Sequence, residues 1–299
     1  MTNQEVRVSP PAPPPKTKLS GIWRVLSLPM LMFLSLPIIA LFLRTSPASL
    51  VENLRNPDVL QAIGLTLITS LVSTMIIILA GTPLAYSQAR GQFRFSRLVD
   101  TLIDLPLVLP PAVAGVALLM AFGRRGILGG VLSDWGIHIA FTTLAVIIAQ
   151  VFVAAPFYIK SATLGFSNID QELEQSAALD GASSPQVFRF LTIPLSWSAL
   201  LGGSVMSWAR ALGEFGATII FAGNFPGRTQ TMPLAIYIGF ELDLDIALTL
   251  SVILIILSFL SLFIAKSILN RDWMSGVIVQ GICHLNCSTE MSPLQKQAS

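Results

Sequence analysis

Several stretches of about 20 residues in this chain are almost wholly apolar, and that length spans a hydrocarbon core roughly 30 Å thick when wound as a helix. The blocks run over about Ile22–Leu43, Val59–Tyr86, Leu102–Phe122, Ile137–Ile159, Trp197–Ala222 and Ile246–Leu269. In lipid each must satisfy its own backbone polar groups, so helices are expected rather than open sheet. Only 11% of the 299 residues are charged and 53% are hydrophobic, against roughly 25% charged in an ordinary soluble domain. The expectation is an all-α integral membrane protein with about six transmembrane helices. Electrostatic binding of nucleic acid is disfavoured, because a net charge of +2 leaves no basic face.

Counting Lys and Arg on the two sides sets the orientation, since basic loops stay in the cytoplasm. With the N-terminus inside, the inner side holds Arg7, Lys16, Lys18, Arg24, Arg90, Arg94, Arg97, Lys160, Arg189, Lys266, Arg271 and Lys296. The outer side holds Arg44, Arg55, Arg124, Arg125 and Arg228. That asymmetry predicts both termini in the cytoplasm. Three regions follow: a proline-rich arm over 1–20, expected to be disordered; a membrane domain over 21–271; and a tail over 272–299. Cys283 and Cys287 are the only cysteines, so no disulfide framework organises the fold. With His284 they make a three-ligand cluster one short of a zinc site, and an amphipathic stretch from Trp273 to Ile282 precedes it.

The longest inner loop, 160–196, carries the strongest motif. Glu174-Gln175-Ser176-Ala177-Ala178-Leu179-Asp180 reads as a short helix. Gly181 can end it at positive φ, Ser183 or Ser184 can cap a second helix with Pro185 in its first turn, and that helix should stop before Pro194. Small Ser176, Ala177 and Ala178 allow close approach of a partner, and Phe188 and Phe190 offer aromatic anchors. This pattern resembles the Glu-Ala-Ala loop of ABC importer permeases, with Gly181 after the triplet and Ile193-Pro194 closing it. Here the triplet reads Gln175-Ser176-Ala177, with Glu174 just before it. A second run, Ser207-Trp208-Ala209-Arg210-Ala211-Leu212-Gly213-Glu214-Phe215-Gly216 followed by Gly223 to Tyr237, resembles the molybdate permeases of that family and, more distantly, the sulfate permeases.

The resemblance implies a type I ABC importer permease fold and a membrane subunit for molybdate or a related oxyanion. It also implies that Glu174, Gln175, Ser176, Ala177, Gly181, Ile193 and Pro194 couple to ATP-binding subunits. The remaining implied partners are a second copy of the chain and an extracytoplasmic oxyanion-binding protein, in a bacterial inner membrane. No cofactor or metal is expected, and the lack of a glycine-rich phosphate loop followed by Lys points to a subunit without its own ATPase. An ion-driven secondary transporter is the rival, but no internal repeat supports it. An intramembrane enzyme would need a nucleophile and base at helical spacing, which are not evident.

Inside the apolar blocks, Arg210 and Glu214 stand at i,i+4 and share a helix face. Two readings fit: an ion pair that fixes packing, or a positive potential along the path of an anion. Gly202, Gly203, Gly213 and Gly216 allow close helix packing, or bending at Gly213 and Gly216 during transport. Pro110 and Pro111 are expected to kink the third crossing where it lines a central cavity. Asp100 and Asp104 are expected at its cytoplasmic start, hydrated or paired with Arg94 or Arg97.

Overall fold

The computed structural model describes residues 19–270. The readings placed on the arm before residue 19, on Trp273–Ile282 and on Cys283, His284 and Cys287 lie outside the described residues. Among the described residues every regular element is helical. One compact unit ends at Ser46 and contains α1, Leu19–Arg44, an apolar helix with prolines at 29 and 37. The second unit begins at Pro47. It contains α2 (Pro47–Asn53), α3 (Pro57–Ala89), α4 (Ser96–Val108), α5 (Pro111–Phe122), α6 (Gly129–Asp134) and α7 (Thr143–Ser167). After these come α8 (Gln171–Leu179), α9 (Ser184–Val187), α10 (Ile193–Leu212), α11 (Gly216–Phe221), α12 (Met232–Leu242) and α13 (Leu244–Asn270).

α7 is the central helix, packed along both α3 and α10. The buried face of α3 carries Ala62, Thr66, Thr69, Ser70, Ser73, Thr74, Gly81 and Ala85, while Ile68, Leu71, Met75 and Leu79 face outward. Lipid is as apolar as leucine, so small and polar residues go inside, where they permit close packing and hydrogen bonding. Ser73 Oγ donates to Gln150 Oε1 at 3.0 Å, Trp208 Nε1 to Ser70 Oγ at 3.0 Å and Ser207 Oγ to the Ala154 carbonyl at 3.0 Å. Glycine sets the α7–α10 spacing: a Cβ on Gly165 would lie 2.5 Å from Ala199 Cβ, and one on Gly203 2.8 Å from Ser161 Cβ. Gly202 has no such neighbour within 4 Å.

Among the described residues five helices are long and apolar enough to cross a membrane, and a sixth crossing arises if α4 and α5 count as one. That pair bends by 117°, so the expected kink is a sharp corner. The cause is local: a residue preceding proline is driven to extended backbone, and Leu109 and Pro110 accordingly sit at ψ 131° and 134°. Pro111 then opens α5, where a missing amide costs nothing. The fifth block is also broken, with α10 ending at Leu212 and α11 starting at Gly216. The fourth begins later than expected, because residues 137–142 form a loop ahead of α7. Asp100 and Asp104 do not pair with Arg94 or Arg97. Both reach Lys160 on α7, at 2.5 and 2.9 Å, and tie α4 to the central helix.

Candidate functional site

Arg90, at the end of α3, meets Glu174, in α8 just after α7, so α3 and α7 terminate on the same face of the bundle. The segment from α8 to α10 forms the knob there. Asp170 caps α8, its carboxylate accepting from the Glu172 amide at 3.0 Å, and Glu172 and Glu174 occupy the first turn where the helix dipole favours acids. At the other end the Gly181 amide bonds to the Ala178 carbonyl at 3.1 Å and the Ala182 amide to the Ala177 carbonyl at 3.0 Å. This is a Schellman closure, with Gly181 at φ 93° in the position that glycine favours. The Ser183 amide donates to Gln186 Oε1 at 2.8 Å, opening α9 with Pro185 in its first turn.

The second short helix does not stop before Pro194. It passes through a π turn, Phe188–Thr192, straight into α10. A proline ring clashes with the carbonyl four residues back in a regular helix, and the wider turn, closed by the Ile193 amide on the Phe188 carbonyl, relieves that clash.

Glu174 holds the knob to the bundle. Its Oε1 lies 2.6 Å from an Arg90 guanidinium nitrogen and accepts from Thr192 Oγ1 at 2.7 Å. The side chains of Arg90 and Glu174 are 8% and 13% exposed, so Glu174 faces inward. Burial works against the charge of Arg90, but the hydrogen bonds and charges of Glu174 and Tyr86 outweigh it and hold the guanidinium above its ordinary range. Stability from this raised group is present below its unfolded value and is lost only as pH rises through the folded one, beyond any working pH. Phe188 is also turned inward, its ring 5.1 Å from Tyr86 and 6.2 Å from Phe166. It is core rather than anchor, because the π turn rotates it onto α3 and α7.

The outward surface consists of exposed Gln175 and Ser176, with Leu173, Leu179 and Phe190 at 50, 88 and 71% exposure. Ala177 is half-buried. Leu173 and Leu179 escaped the motif reading, although exposed leucines beside a glycine turn in a polar loop are the available signal. Ile193 and Pro194 lie at the start of α10, behind this surface.

Within the membrane, Arg210 Nη1 and Glu214 Oε2 lie 2.8 Å apart, with side-chain exposures of 29% and 0%. The other carboxylate oxygen accepts from the Ala217 amide at 2.8 Å and caps α11. Glu214 therefore sits in the helix break and fills two structural roles. Gly216 brings α11 against α5: a Cβ there would lie 2.5 Å from Pro111 Cβ. Pro111, Pro110, Gly216 and Glu214 thus share one junction. Gly213 ends α10 but meets only its own helix, its nearest neighbour being the Ala209 carbonyl at 3.8 Å.

Residues 77–273 match the family described as binding-protein-dependent transport system inner membrane component. A probable transport system permease protein NifC of Clostridium pasteurianum is 34% identical over 256 residues, covering 85% of this chain and 89% of that protein. The molybdenum transport system permease protein ModB of Mycobacterium tuberculosis is 40% identical over 228 residues, covering 76% of this chain and 86% of its own. Among solved structures, a chain of the bacterial alginate ABC transporter in complex with alginate pentasaccharide-bound periplasmic protein superposes with a TM-score of 0.66. It is 18% identical and covers 85% of this chain and 94% of its own.

Proposed function

We propose, for a chain that belongs to the family of binding-protein-dependent transport system inner membrane components and has the fold of type I ABC importer permeases, that it is the membrane subunit of an ATP-driven molybdate importer. The observation that carries this reading is the knob of α8 and α9. It is bonded to the bundle through Arg90, Glu174 and Thr192, while Gln175, Ser176, Leu179 and Phe190 face outward for a partner. The molybdate assignment is supported by the relative at 40% identity that is named as a molybdenum transport system permease protein.

In this reading two copies of the chain enclose the pathway, with both termini in the cytoplasm of a bacterial inner membrane. Two ATP-binding subunits grip the knobs and an extracytoplasmic binding protein delivers the oxyanion to the opposite face. The chain supplies no ATPase chemistry of its own. Movement of the knob is transmitted to α3 through Arg90 and to α10 through Thr192, both bonded to one carboxylate. The ATP-bound partner drives transport only by favouring one permease conformation over the other. At the α5–α11 junction, the corner at Pro110–Pro111 and the break over Gly213–Phe215 supply the places where the pathway wall can bend.

The substrate is tested by uptake of labelled molybdate into proteoliposomes holding this chain, its ATP-binding subunit and its binding protein, in competition with unlabelled tungstate and sulfate. Tungstate is expected to compete at equal concentration, and sulfate only in large excess. Preferential sulfate uptake would assign the permease to sulfate instead.

A further inference from the structure

Arg124, His138 and Arg228 line one cavity of about 390 Å3. It lies where α5 ends and α7 begins, the end of α7 opposite to the knob. We propose that this cavity is an acceptance site for a tetrahedral oxyanion at the outer mouth of the permease, holding the ion after its release from the binding protein. The proposal rests on the oxyanion-permease reading above and adds a site to it.

Charge points to an anion. Two guanidiniums and an imidazole line the cavity, no Asp or Glu lines it, and among the described residues neither arginine has a carboxylate within 4.0 Å. Exposed Arg44, Arg55, Arg94, Arg97, Arg125 and Arg189 also have no carboxylate within 4.0 Å among the described residues, so what sets Arg124 and Arg228 apart is that both line one cavity. Phe122, Ile139 and Phe141 supply apolar wall on one side of the cavity. The volume falls in the range of about 300–1,000 Å3 common to small-ligand sites. A space of this size holds a small ion together with several of its waters.

The walls are fixed in advance. Phe141 has φ 63°, a left-handed conformation that is an outlier for a bulky side chain and persists only where surroundings enforce it. Its amide bonds to the Phe221 carbonyl at 3.2 Å, and its ring meets Phe225 edge-on at 6.4 Å between centroids. The loop that carries Arg228 is locked in turn. Buried Thr229 accepts from the Phe225 amide at 3.0 Å, the Arg228 amide bonds to the Phe225 carbonyl at 3.1 Å, and the Arg228 carbonyl accepts from Thr143 Oγ1 at 2.9 Å. Both arginine residues are exposed, so an ion held there remains hydrated on one side and can leave, as conduction requires.

The test compares Arg124→Gln, Arg228→Gln and the double variant with the corresponding Lys variants, all reconstituted with ATP-binding subunit and saturating molybdate-loaded binding protein. Uptake of labelled molybdate is expected to fall about tenfold in the double Gln variant, from loss of two charge-assisted contacts. The binding-protein concentration that half-maximally stimulates ATPase should stay within about twofold, and the Lys variants should keep most of the uptake. Unchanged uptake in the double Gln variant would overturn the proposal. So would a parallel rise in the half-stimulating concentration, which would make the arginines docking residues for the binding protein, or equal failure of Lys and Gln variants with loss of ATPase stimulation. Wild-type complex that takes up neither molybdate nor sulfate would instead overturn the oxyanion-permease reading itself.

Discussion

Replacing Glu174 with alanine is expected to abolish ATP-driven uptake while leaving the membrane bundle folded. The carboxylate joins three elements: α8, which carries it, the end of α3 through Arg90, and the π turn before α10 through Thr192. Removing it strands a guanidinium only 8% exposed, and breaking a buried ion pair by removing one partner costs about 3–5 kcal/mol, less where water reaches the pair. That cost falls on the attachment of the knob, because α8 buries none of its residues otherwise. Uptake should fall at least tenfold with basal ATPase of the complex retained, and hydrogen exchange over residues 171–182 should accelerate. Glu174→Gln keeps an acceptor for Thr192 and should lose less. Normal uptake in Glu174→Ala would show that the knob transmits force by another route.

Loss of Glu214 should be more severe. The side chain is fully buried, balances Arg210 and caps α11 through the Ala217 amide. Glu214→Ala combines a stranded charge at about 3–5 kcal/mol with a lost cap at about 1 kcal/mol, a large share of the stability of a typical domain. Little assembled protein should be recovered from membranes. Arg210→Ala should reduce assembly and transport together, since it strands the carboxylate. The pair of changes Arg210→Met with Glu214→Gln removes both charges but keeps an acceptor for Ala217, and should restore assembly as measured by the thermal midpoint of the purified complex. If that double variant assembles and transports normally, the ion pair serves packing alone. Normal assembly with absent transport would place Arg210 on the path of the anion.

The parts of this structure legible in the sequence are those set by short-range chemistry. Apolar block length indicated the long helices though not all their bounds, glycine at position 181 located the turn of the knob, and i,i+4 spacing located the contact between Arg210 and Glu214. Proline signalled interruption at 110 and 111, but its consequence depended on context. Two consecutive prolines at a helix start give a 117° corner, whereas Pro194 is absorbed by a π turn without ending its helix. Contacts between distant residues were not legible. Arg90 and Glu174 are 84 residues apart, and nothing local distinguishes Arg90 from other basic residues at the membrane edge. Lys160 pairs with Asp100 and Asp104 because α7 runs beside α4, and nearness in sequence had favoured Arg94 or Arg97. The inward turn of Phe188 and the break around Glu214 likewise follow from packing. α12, with 11 residues, is too short to cross a bilayer and packs along α13.

The central claim is that force from ATP enters through the knob. The most direct measurement is molybdate uptake into proteoliposomes by the complete complex, by the same complex without its ATP-binding subunit, and by the complex carrying Gly181→Asp. A side chain at φ 93° is strained in the Schellman turn, by about 1–2 kcal/mol for a residue forced to the left-handed region, and the added carboxylate faces the partner surface. The account expects uptake only with ATP and ATP-binding subunit present, and a loss of at least tenfold in the Gly181→Asp complex. Uptake that persists without the ATP-binding subunit, driven by an ion gradient alone, would contradict it.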